Sequence, residues 1–322
     1  MRVPHVVFLA VLAALLASCG GGAGAIPTPG VGAPAAIVQA QADGAKVLQA
    51  ANGPLSPTAP PEPLAVRLDD VNDPVVVRFK RPPRAGLLFD LDTGEVLWRK
   101  DPLRRLPIAS VTKTMTAILV ARRVPAGSLV KVTNEARARP GSRIGVLPKK
   151  KRVGVTALLN GLLIVSGNDA AVALAQRVSG TVPRFVELMN RTARAMNLSC
   201  TSFASPDGLD DRGYSCPQDL AALARAALDE PRVAEVVRRP RAVLPFPVKG
   251  GKLFLYSHNP LVRTGYRGAI GIKTGYTNPA GRCFLGAAER DGRRLGVVLL
   301  HSPDPGKQAR QLLDRGWRVP RG

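Results

Sequence analysis

The order of predicted elements along the 322-residue chain predicts an α+β fold, with an antiparallel sheet flanked by helices. Strand-like sequence comes first, at residues 74–80 and 85–100, and a block of amphipathic helical sequence follows. Strand-like sequence returns at residues 269–302, before a terminal helix. Strands at both ends of the chain indicate one sheet built from both ends, with a helical subdomain inserted between them.

Periodicity and turn residues predict the individual elements in chain order. "PVVVRFK" predicts a strand, and "AGLLFDLDTGEVLWRK" predicts a hairpin that turns at "LDTGE". Helical spacing then recurs in "SVTKTMTAILVARR", in two runs broken around "SGN", in "VPRFVELMNRTARAMNL" and in "SCPQDLAALARAALD". "AIGIKTGYTNPAGRCFLGAAERDGRRLGVVLLHS" predicts two or three strands with a turn at "RDGRR", and "GKQARQLLDRGWRV" predicts a closing helix.

The N-terminal sequence predicts export. A short basic start leads into "VVFLAVLAALLA", which is too short to span a bilayer comfortably, and then into "LASC". This pattern predicts a lipoprotein signal peptide over residues 1–19 with lipidation of Cys19; the alternative is a secretory signal cleaved near residues 23–25. Residues 20–63 are rich in Gly, Ala and Pro and predict a disordered linker, so the ordered domain is expected over residues 64–322.

Charge and cysteine content narrow the class of protein. The net charge of +23 favours contact with polyanions, such as anionic lipid or acidic wall polymers. No nucleic-acid partner is expected, because the chain shows neither a basic face interleaved with aromatic residues nor a known binding module. In an exported protein, the spacing of Cys200 and Cys216 predicts a disulfide that would contribute roughly 3 kcal/mol. Cys283 lies in an apolar run and is expected to be buried. The Cys and His spacing suggests no metal site.

Three short polar motifs carry the candidate chemistry. Ser110 and Lys113 are spaced to share one face of a helix start, where a lysine of lowered pKa could take the serine proton. By itself this pair is more typical of a helix N-cap and a solvated lysine. Ser166 and Asn168 interrupt two apolar helical runs, where Ser166 could relay a proton and Asn168 could hold a substrate amide. The alternative at that position is a capped junction between helices.

The third motif is "GIKTGYT", on a strand expected to border the cleft. Lys273 and Thr274 supply a positive charge and a hydroxyl suited to a substrate carboxylate. Gly275 would let a ligand backbone approach closely. Lys273 would also help to depress the pKa of Lys113. Alone, this motif is equally consistent with a surface strand.

Together, Ser-x-x-Lys, Ser-x-Asn and Lys-Thr-Gly form the set found in serine β-lactamases and penicillin-binding proteins. The chain resembles the low-molecular-mass penicillin-binding proteins that act as serine-type D-alanyl-D-alanine carboxypeptidases (peptidase S11 family). "PIASVTKTMTA", "LLIVSGNDAAVALA", "FVELMN", "TSFASPDGLDD" and "GIKTGYTNPAGRCFLG" carry the resemblance, which covers roughly residues 83–317. It implies a β-lactamase/transpeptidase-like fold.

The resemblance also implies a mechanism without metal or organic cofactor. Ser110 would attack the penultimate D-Ala carbonyl of a peptidoglycan stem peptide, and Lys113 would accept its proton. The backbone N–H groups of Ser110 and Tyr276 would hold the oxyanion. The resemblance also implies that Ser166 or a lysine protonates the leaving amine and that Asn168 orients the peptide amide of the substrate. Lys273 and Thr274 would bind the terminal carboxylate of the substrate. β-Lactams would acylate Ser110. The expected lipid on Cys19 would replace the C-terminal anchor that many family members carry.

Two alternatives stand beside this interpretation. A class A β-lactamase would need a deacylating Glu-x-x-x-Asn arrangement, which Glu187 and Asn190 fail to match because they are three residues apart within a predicted helix. A non-catalytic wall-binding protein on the same scaffold would have no need for Lys113. A β-lactam turnover assay tests the first alternative, and retained function in a Ser110→Ala variant would favour the second.

Overall fold

The structure is a computed structural model that describes residues 64–70 and 72–321. The predicted signal peptide with Cys19 and the predicted linker over residues 20–63 lie outside the described residues. Within the described ranges, no helix is both long and apolar enough to cross a membrane.

Five antiparallel strands form the central sheet, and they come from both ends of the described chain. They are β1 (Ala85–Asp90), β2 (Val96–Lys100), β9 (Ala269–Thr277), β10 (Gly281–Arg290) and β11 (Arg293–Ser302). Their order in the sheet is β2-β1-β11-β10-β9. Early β1 pairs with late β11, from Ala85 opposite Leu300 to Asp90 opposite Leu295. This confirms the predicted α+β fold with a sheet built from both ends.

Three small antiparallel pairs lie outside the central sheet. They are β3 (Leu106–Pro107) with β6 (Tyr214–Ser215), β4 (Leu129–Lys131) with β5 (Arg152–Gly154), and β7 (Arg241–Pro245) with β8 (Lys252–Tyr256). The first pair lies just before the turn that carries Ser110, and so helps to position that turn.

The helices fall into a block between the sheet strands and one terminal helix. They are α1 (Lys113–Arg123), α2 (Asn134–Ala138), α3 (Val155–Ile164), α4 (Asn168–Ser179), α5 (Val182–Ala195), α6 (Pro217–Leu228), α7 (Pro231–Val237), α8 (Pro260–Arg263) and α9 (Pro305–Gly316). Capping residues define several starts: the Thr181 side chain accepts from Arg184 N at α5, and Asp304 accepts from Lys307 N at α9.

Side-chain alternation along the sheet divides the apolar core into two clusters. In β1, Leu87 and Phe89 pack in the larger cluster, with α1 and the rest of the helical block. Leu88 of the same strand packs in the second cluster, with Leu312 and Leu313 of α9. Both faces of the sheet are therefore covered, which explains why its strands read as almost continuously apolar.

Two features differ from the sequence prediction. Residues 74–80 form no strand. Within the described ranges, this segment is joined to β2 by one backbone hydrogen bond, in which Val75 N donates to Leu97 O at 2.9 Å. Pro74 at the start of the segment, and Pro82 and Pro83 just after it, limit further pairing. The β7–β8 hairpin was not predicted, because Phe254 and Tyr256 on its exposed face hide the apolar-polar alternation of a strand.

Candidate active site

Ser110 lies in a 3₁₀ turn, Ala109–Thr112, that leads directly into α1. Lys113 is the first residue of α1, and its Nζ lies 2.7 Å from Ser110 Oγ. The turn is N-capped by Ile108 without a side-chain bond, so the Ser110 hydroxyl does not serve as a cap. The helix-cap alternative therefore does not describe this serine, whose hydroxyl faces an amine instead.

Lys113 is fully buried, and its amine reaches three oxygen atoms. Besides Ser110 Oγ, Nζ donates to Asn168 Oδ1 and to the Asp207 carbonyl, each at 2.7 Å. Burial lowers the pKa of Lys113 from 10.5 to about 7, and the Arg139 charge adds to this lowering, while Asp207 and Asp169 oppose it. Both protonation states of Lys113 are thus accessible near neutral pH, so its neutral amine can take the proton of Ser110.

Asp207 was not identified from the sequence, although it is central to this arrangement. Its buried carboxylate forms a two-point ion pair with Arg139, with Nε–Oδ2 at 2.5 Å and Nη2–Oδ1 at 3.0 Å. Burial raises the pKa of Asp207, but the Arg139 bonds and the Lys113 charge outweigh it and leave the pKa below its usual value. Asp207 is therefore ionised, and its segment is held beside Lys113.

The backbone after Asp207 presses against the turn that carries Ser110. Gly208 has a φ of +75°, and a Cβ there would lie 1.9 Å from the Ala109 carbonyl oxygen. Only glycine fits this contact. The position of the Ser110 turn thus depends on a glycine nearly one hundred residues away in sequence.

Ser166 occupies the junction between α3 and α4 with a φ of +62°, and it is buried. Lys273 Nζ donates to Ser166 Oγ at 3.0 Å and to the Thr274 carbonyl at 2.8 Å. The positive φ of Ser166 is costly for a non-glycine residue, and such strain clusters at functional sites. Lys273 is therefore hydrogen-bonded to Ser166, as Lys113 is to Ser110.

Lys273 lies deeper than the sequence suggested. Its side chain is 1 % exposed, and burial together with the Lys113 charge holds its pKa well below the usual value. Two buried amines close together cannot both stay charged at low cost. Burial is the main cause of the lowered pKa at Lys113, and the positive charge that adds to it there is that of Arg139. The repulsion between the two lysines lowers the pKa of Lys273.

Asn168 is the first residue of α4, and both ends of its amide contact the protein. Oδ1 accepts from Lys113, and Nδ2 donates to the Pro140 carbonyl at 2.7 Å. The adjacent Asp169, which the sequence analysis also missed, accepts from the backbone N–H groups of Ile144 and Gly145. The start of α4 therefore fixes both the amine of Lys113 and the loop that follows Pro140.

A cleft of about 620 Å³ opens beside these groups. Ser110 and Ser166 line it together with Thr274, Gly275 and Tyr276 from the edge strand β9. A Cβ at Gly275 would lie 2.8 Å from the Ile108 carbonyl and 3.0 Å from Ser110 N. Gly275 thus lets the Ser110 turn approach β9, and its role in admitting a ligand backbone stays a prediction.

Cys200 and Cys216 form a disulfide, with Cα atoms 5.9 Å apart, and Cys283 is free and buried. Asp219 Oδ2 accepts from Cys200 N at 2.9 Å. These two cysteines and Asp219 are close enough together to share an ion, but both sulfur atoms are used by the disulfide. The bridge instead closes the loop that contains Asp207, just before α6.

Comparisons with known proteins point to one family. The sequence model of peptidase S11, described as D-alanyl-D-alanine carboxypeptidase, matches residues 82–304. D-alanyl-D-alanine carboxypeptidase DacB2 of Mycobacterium tuberculosis is 34% identical over 247 residues, which are 74% of this chain and 83% of that protein. DacF of Bacillus subtilis is 32% identical over 235 residues, 71% of this chain but 60% of its own length.

Solved structures of the same class are similar in fold. A D-alanyl-D-alanine carboxypeptidase from Mycobacterium tuberculosis superimposes with a TM-score of 0.72 at 32% identity, covering 78% of this chain and 97% of that one. The Streptomyces K15 DD-transpeptidase superimposes with a TM-score of 0.70 at 28% identity, covering 76% of this chain and all (100%) of that one.

Proposed function

Because this chain belongs to the peptidase S11 family of D-alanyl-D-alanine carboxypeptidases, we propose that it removes the terminal D-Ala from peptidoglycan stem peptides through an acyl-enzyme on Ser110. The observation that carries the proposal is the 2.7 Å contact between Ser110 Oγ and the buried amine of Lys113, whose pKa is lowered to about 7. A serine hydroxyl becomes a nucleophile when an adjacent base takes its proton.

In the acylation step, Ser110 Oγ attacks the carbonyl carbon between the last two residues and its proton moves to Lys113 Nζ. The backbone N–H groups of Ser110 and Tyr276 stabilise the negative oxygen. The carbon–nitrogen bond then breaks, and the proton that Lys113 holds passes through Ser166 to the leaving amine, which returns Lys113 to its neutral form. Ser166 accepts a hydrogen bond from Lys273 in this position. D-Ala departs, and the acyl group remains on Ser110.

In the deacylation step, water attacks the ester and Lys113 Nζ again takes the proton. The carbon–oxygen bond to Ser110 breaks and the hydroxyl recovers a proton from the lysine. Ester hydrolysis restores the enzyme and releases the shortened peptide. Penicillins would enter the same first step and leave a ring-opened acyl group on Ser110.

The β-lactamase alternative gains no support from the structure. The Asn190 amide pairs with the backbone of Phe203 through both of its ends, and Glu187 is exposed on α5. Neither residue lines the cleft that holds Ser110. We therefore assign no deacylating carboxylate to them.

Mass spectrometry after reaction with benzylpenicillin tests the proposal. The intact protein is expected to gain the mass of one penicillin, and peptide mapping is expected to place it on the peptide that carries Ser110. Ser110→Ala should show no gain and should release no D-alanine from a peptide ending in D-Ala-D-Ala. A gain on another peptide, or no gain in the wild-type protein, would refute the mechanism.

We also propose that the protein is exported and anchored to the membrane through a lipid on Cys19. The support is the sequence "LASC" directly after a short apolar run, since a cysteine in this context is the acceptor of bacterial lipoproteins. Metabolic labelling with a fatty acid in the native host should mark the wild-type protein and not Cys19→Ala. Labelling that survives this substitution would contradict the anchor.

A further inference from the structure

A basic hollow of about 490 Å³ lies at the end of the sheet that is remote from the cleft. Four arginines line it: Arg267, Arg290, Arg293 and Arg321. Arg290 lies seven residues along β10 from Cys283, which lines the cleft, so the hollow and the cleft are roughly 24 Å apart at about 3.4 Å per residue. The basic hollow is therefore separate from the cleft, and no step of the proposed reaction uses it.

Arg293 is buried in the wall of the basic hollow, and one of its donors has no acceptor. Its side chain is 7 % exposed. Nε donates to Asp90 Oδ2 at 3.0 Å, and Nη1 donates to the Val319 carbonyl at 2.6 Å. Nη2 is buried and has no hydrogen-bond partner among the described residues. A buried charged donor without an acceptor is costly, so Nη2 points to an acceptor that the described chain does not itself supply.

The guanidinium of Arg290 is held in place by two aromatic rings. It lies 4.9 Å from the centroid of the Tyr266 ring and 5.0 Å from that of Trp317. Its Nε donates to the Arg267 carbonyl at 3.3 Å, and its Nη2 lies 3.9 Å from Asp314 Oδ1. Stacking on a ring fixes the plane of a guanidinium without using its N–H donors, so Arg290 keeps donors for a ligand.

The other two arginines of the basic hollow are exposed. Neither Arg267 nor Arg321 forms an ion pair in the part of the chain that the structure describes. Arg321 Nη2 donates to the Asp291 carbonyl at 3.0 Å, which orients its side chain. The Asp291 carboxylate also lines the hollow and opposes an anion there. Carboxylates thus offset part of the charge of Arg290 and Arg293, whereas Arg267 and Arg321 keep theirs unpaired.

The shape and number of these donors favour an anion with more than two oxygen atoms. Planar guanidinium groups match the oxygen atoms of phosphate, and four of them around one hollow exceed what a single carboxylate can accept. A membrane surface fits less well, because proteins bind it by burying apolar side chains in the interface. None of the large apolar side chains that the described structure exposes lines this hollow.

We propose that the basic hollow binds a phosphate group of a soluble anionic molecule, with Arg293 Nη2 as its buried donor. Nη2 is covered from solvent, so contact requires a neighbouring side chain to move, and Arg321 is exposed on the wall of the same hollow. The net charge of +23 raises the local concentration of such ligands. A phosphate-bearing polymer held here leaves the cleft open for the peptide substrate.

Calorimetric titration of the full chain with inorganic phosphate, at constant ionic strength, tests the site. Wild-type protein should show saturable binding, and the tryptophan fluorescence should change with it, because Trp317 lines the hollow. Arg293→Lys keeps the charge but loses Nη2, and it should raise the Kd at least about tenfold, the range for a lost hydrogen bond to a charged group. Saturable binding with an unchanged Kd in this variant would overturn the assignment of Nη2.

Two exposed positions test the site without disturbing the core. Arg267→Gln should raise the Kd about two- to fivefold, the range of a solvent-exposed ion pair. Asp291→Asn should lower the Kd, and asparagine tolerates the φ of +49° at this turn. If Arg293→Lys fails to fold, these two opposite shifts still decide the proposal.

Matched controls separate the site from general attraction to a basic protein. Arg241→Gln removes one charge from an exposed position on β7 that does not line the hollow, and it should leave the Kd unchanged. Acetate at the same ionic strength should give no saturable binding. The rate of acylation by benzylpenicillin should be the same in wild type and Arg267→Gln, which checks that the variant is folded.

Two larger probes identify the source of the phosphate group. A soluble poly(glycerol phosphate) should bind wild type, and Arg267→Gln and Arg293→Lys should weaken this binding. Vesicles of phosphatidylcholine and phosphatidylglycerol should bind wild type and Arg267→Gln equally. Vesicle binding that requires Arg267, without binding of phosphate or of the polymer, would assign the hollow to a lipid surface and overturn the proposal.

The pattern across the variants decides the outcome. A loss of phosphate binding in Arg267→Gln and Arg293→Lys, but not in Arg241→Gln, supports the site. No saturable binding in wild type, or equal losses in Arg241→Gln and Arg267→Gln, overturns it. Because these measurements report binding at the hollow, they stand or fall independently of D-Ala release at the cleft.

Discussion

The lowered pKa of Lys113 leads to a quantitative prediction for the pH dependence of Ser110 acylation. With a pKa of about 7, about half of the Lys113 amines are neutral at pH 7, whereas at the ordinary value of 10.5 roughly one in 3,000 would be. Because the neutral amine is the base, the acylation rate should rise about tenfold per pH unit below pH 7. It should level off above pH 8.

Asn168→Asp tests whether Lys113 is the group whose titration sets this pH dependence. The substitution places a carboxylate against Lys113 Nζ in place of the amide Oδ1 that accepts from it at 2.7 Å. An opposite charge at this distance raises a lysine pKa by about 1 to 3 units. The inflection should therefore move to between about pH 8 and 10, with roughly 10- to 1,000-fold slower acylation at pH 6. Asn134→Asp, at an exposed position on α2, is the control and should leave the profile unchanged.

The assay is the rate of benzylpenicillin acylation, followed by quenched intact mass from pH 5 to pH 9. A wild-type rate that keeps rising tenfold per unit through pH 9 would show an ordinary lysine and refute the account. An inflection that stays near pH 7 in Asn168→Asp would show that Lys113 is not the titrating base.

Three further predictions concern stability. Between pH 7 and 10.5 the unfolded chain holds a proton on Lys113 that the folded chain releases, so Lys113 should add on the order of 5 kcal/mol to the rise of the unfolding free energy with pH. Lys273 adds a rise of the same sign, so denaturant titration should show a rise in Lys113→Met that is smaller than the wild-type rise by about this amount. Gly208→Ala should be more destabilising than Gly250→Ala, because both have positive φ but only the former meets a backbone oxygen, at 1.9 Å; equal losses in thermal unfolding would contradict this. Replacing Cys200 and Cys216 by Ser should lower the free energy of unfolding by roughly 3 kcal/mol, and an unchanged value would mean that the bridge does not constrain the unfolded chain.

Much of the fold was predictable because its signals are local. The β1–β2 hairpin has a turn sequence between two apolar runs, and the break between α3 and α4 has a polar tripeptide between two helical patterns. The β7–β8 hairpin was not predictable, since its exposed face carries aromatic side chains. Its register follows from pairs such as Val243 opposite Phe254, which no local pattern specifies.

The candidate site was predictable in its residue types but not in its supporting contacts. Arg139 and Asp207 form an ion pair across 68 positions of sequence, and neither belongs to the three short polar motifs. Gly275 was assigned to the correct strand, but its contact with the Ser110 turn was not foreseen. Such contacts depend on which distant segments pack together, and short sequence patterns do not show which segments these are.

The sequence by itself determined which groups are present and how neighbouring ones are spaced: a serine and a lysine three positions apart at a helix start, and a Lys-Thr-Gly strand. The tertiary structure decided their chemistry. Lys113 becomes a base near neutral pH because the surrounding core excludes water from its amine, and Lys273 is withdrawn from the cleft by the same burial. Desolvation depends on every segment that packs around a charge, so it exists only once the chain has folded.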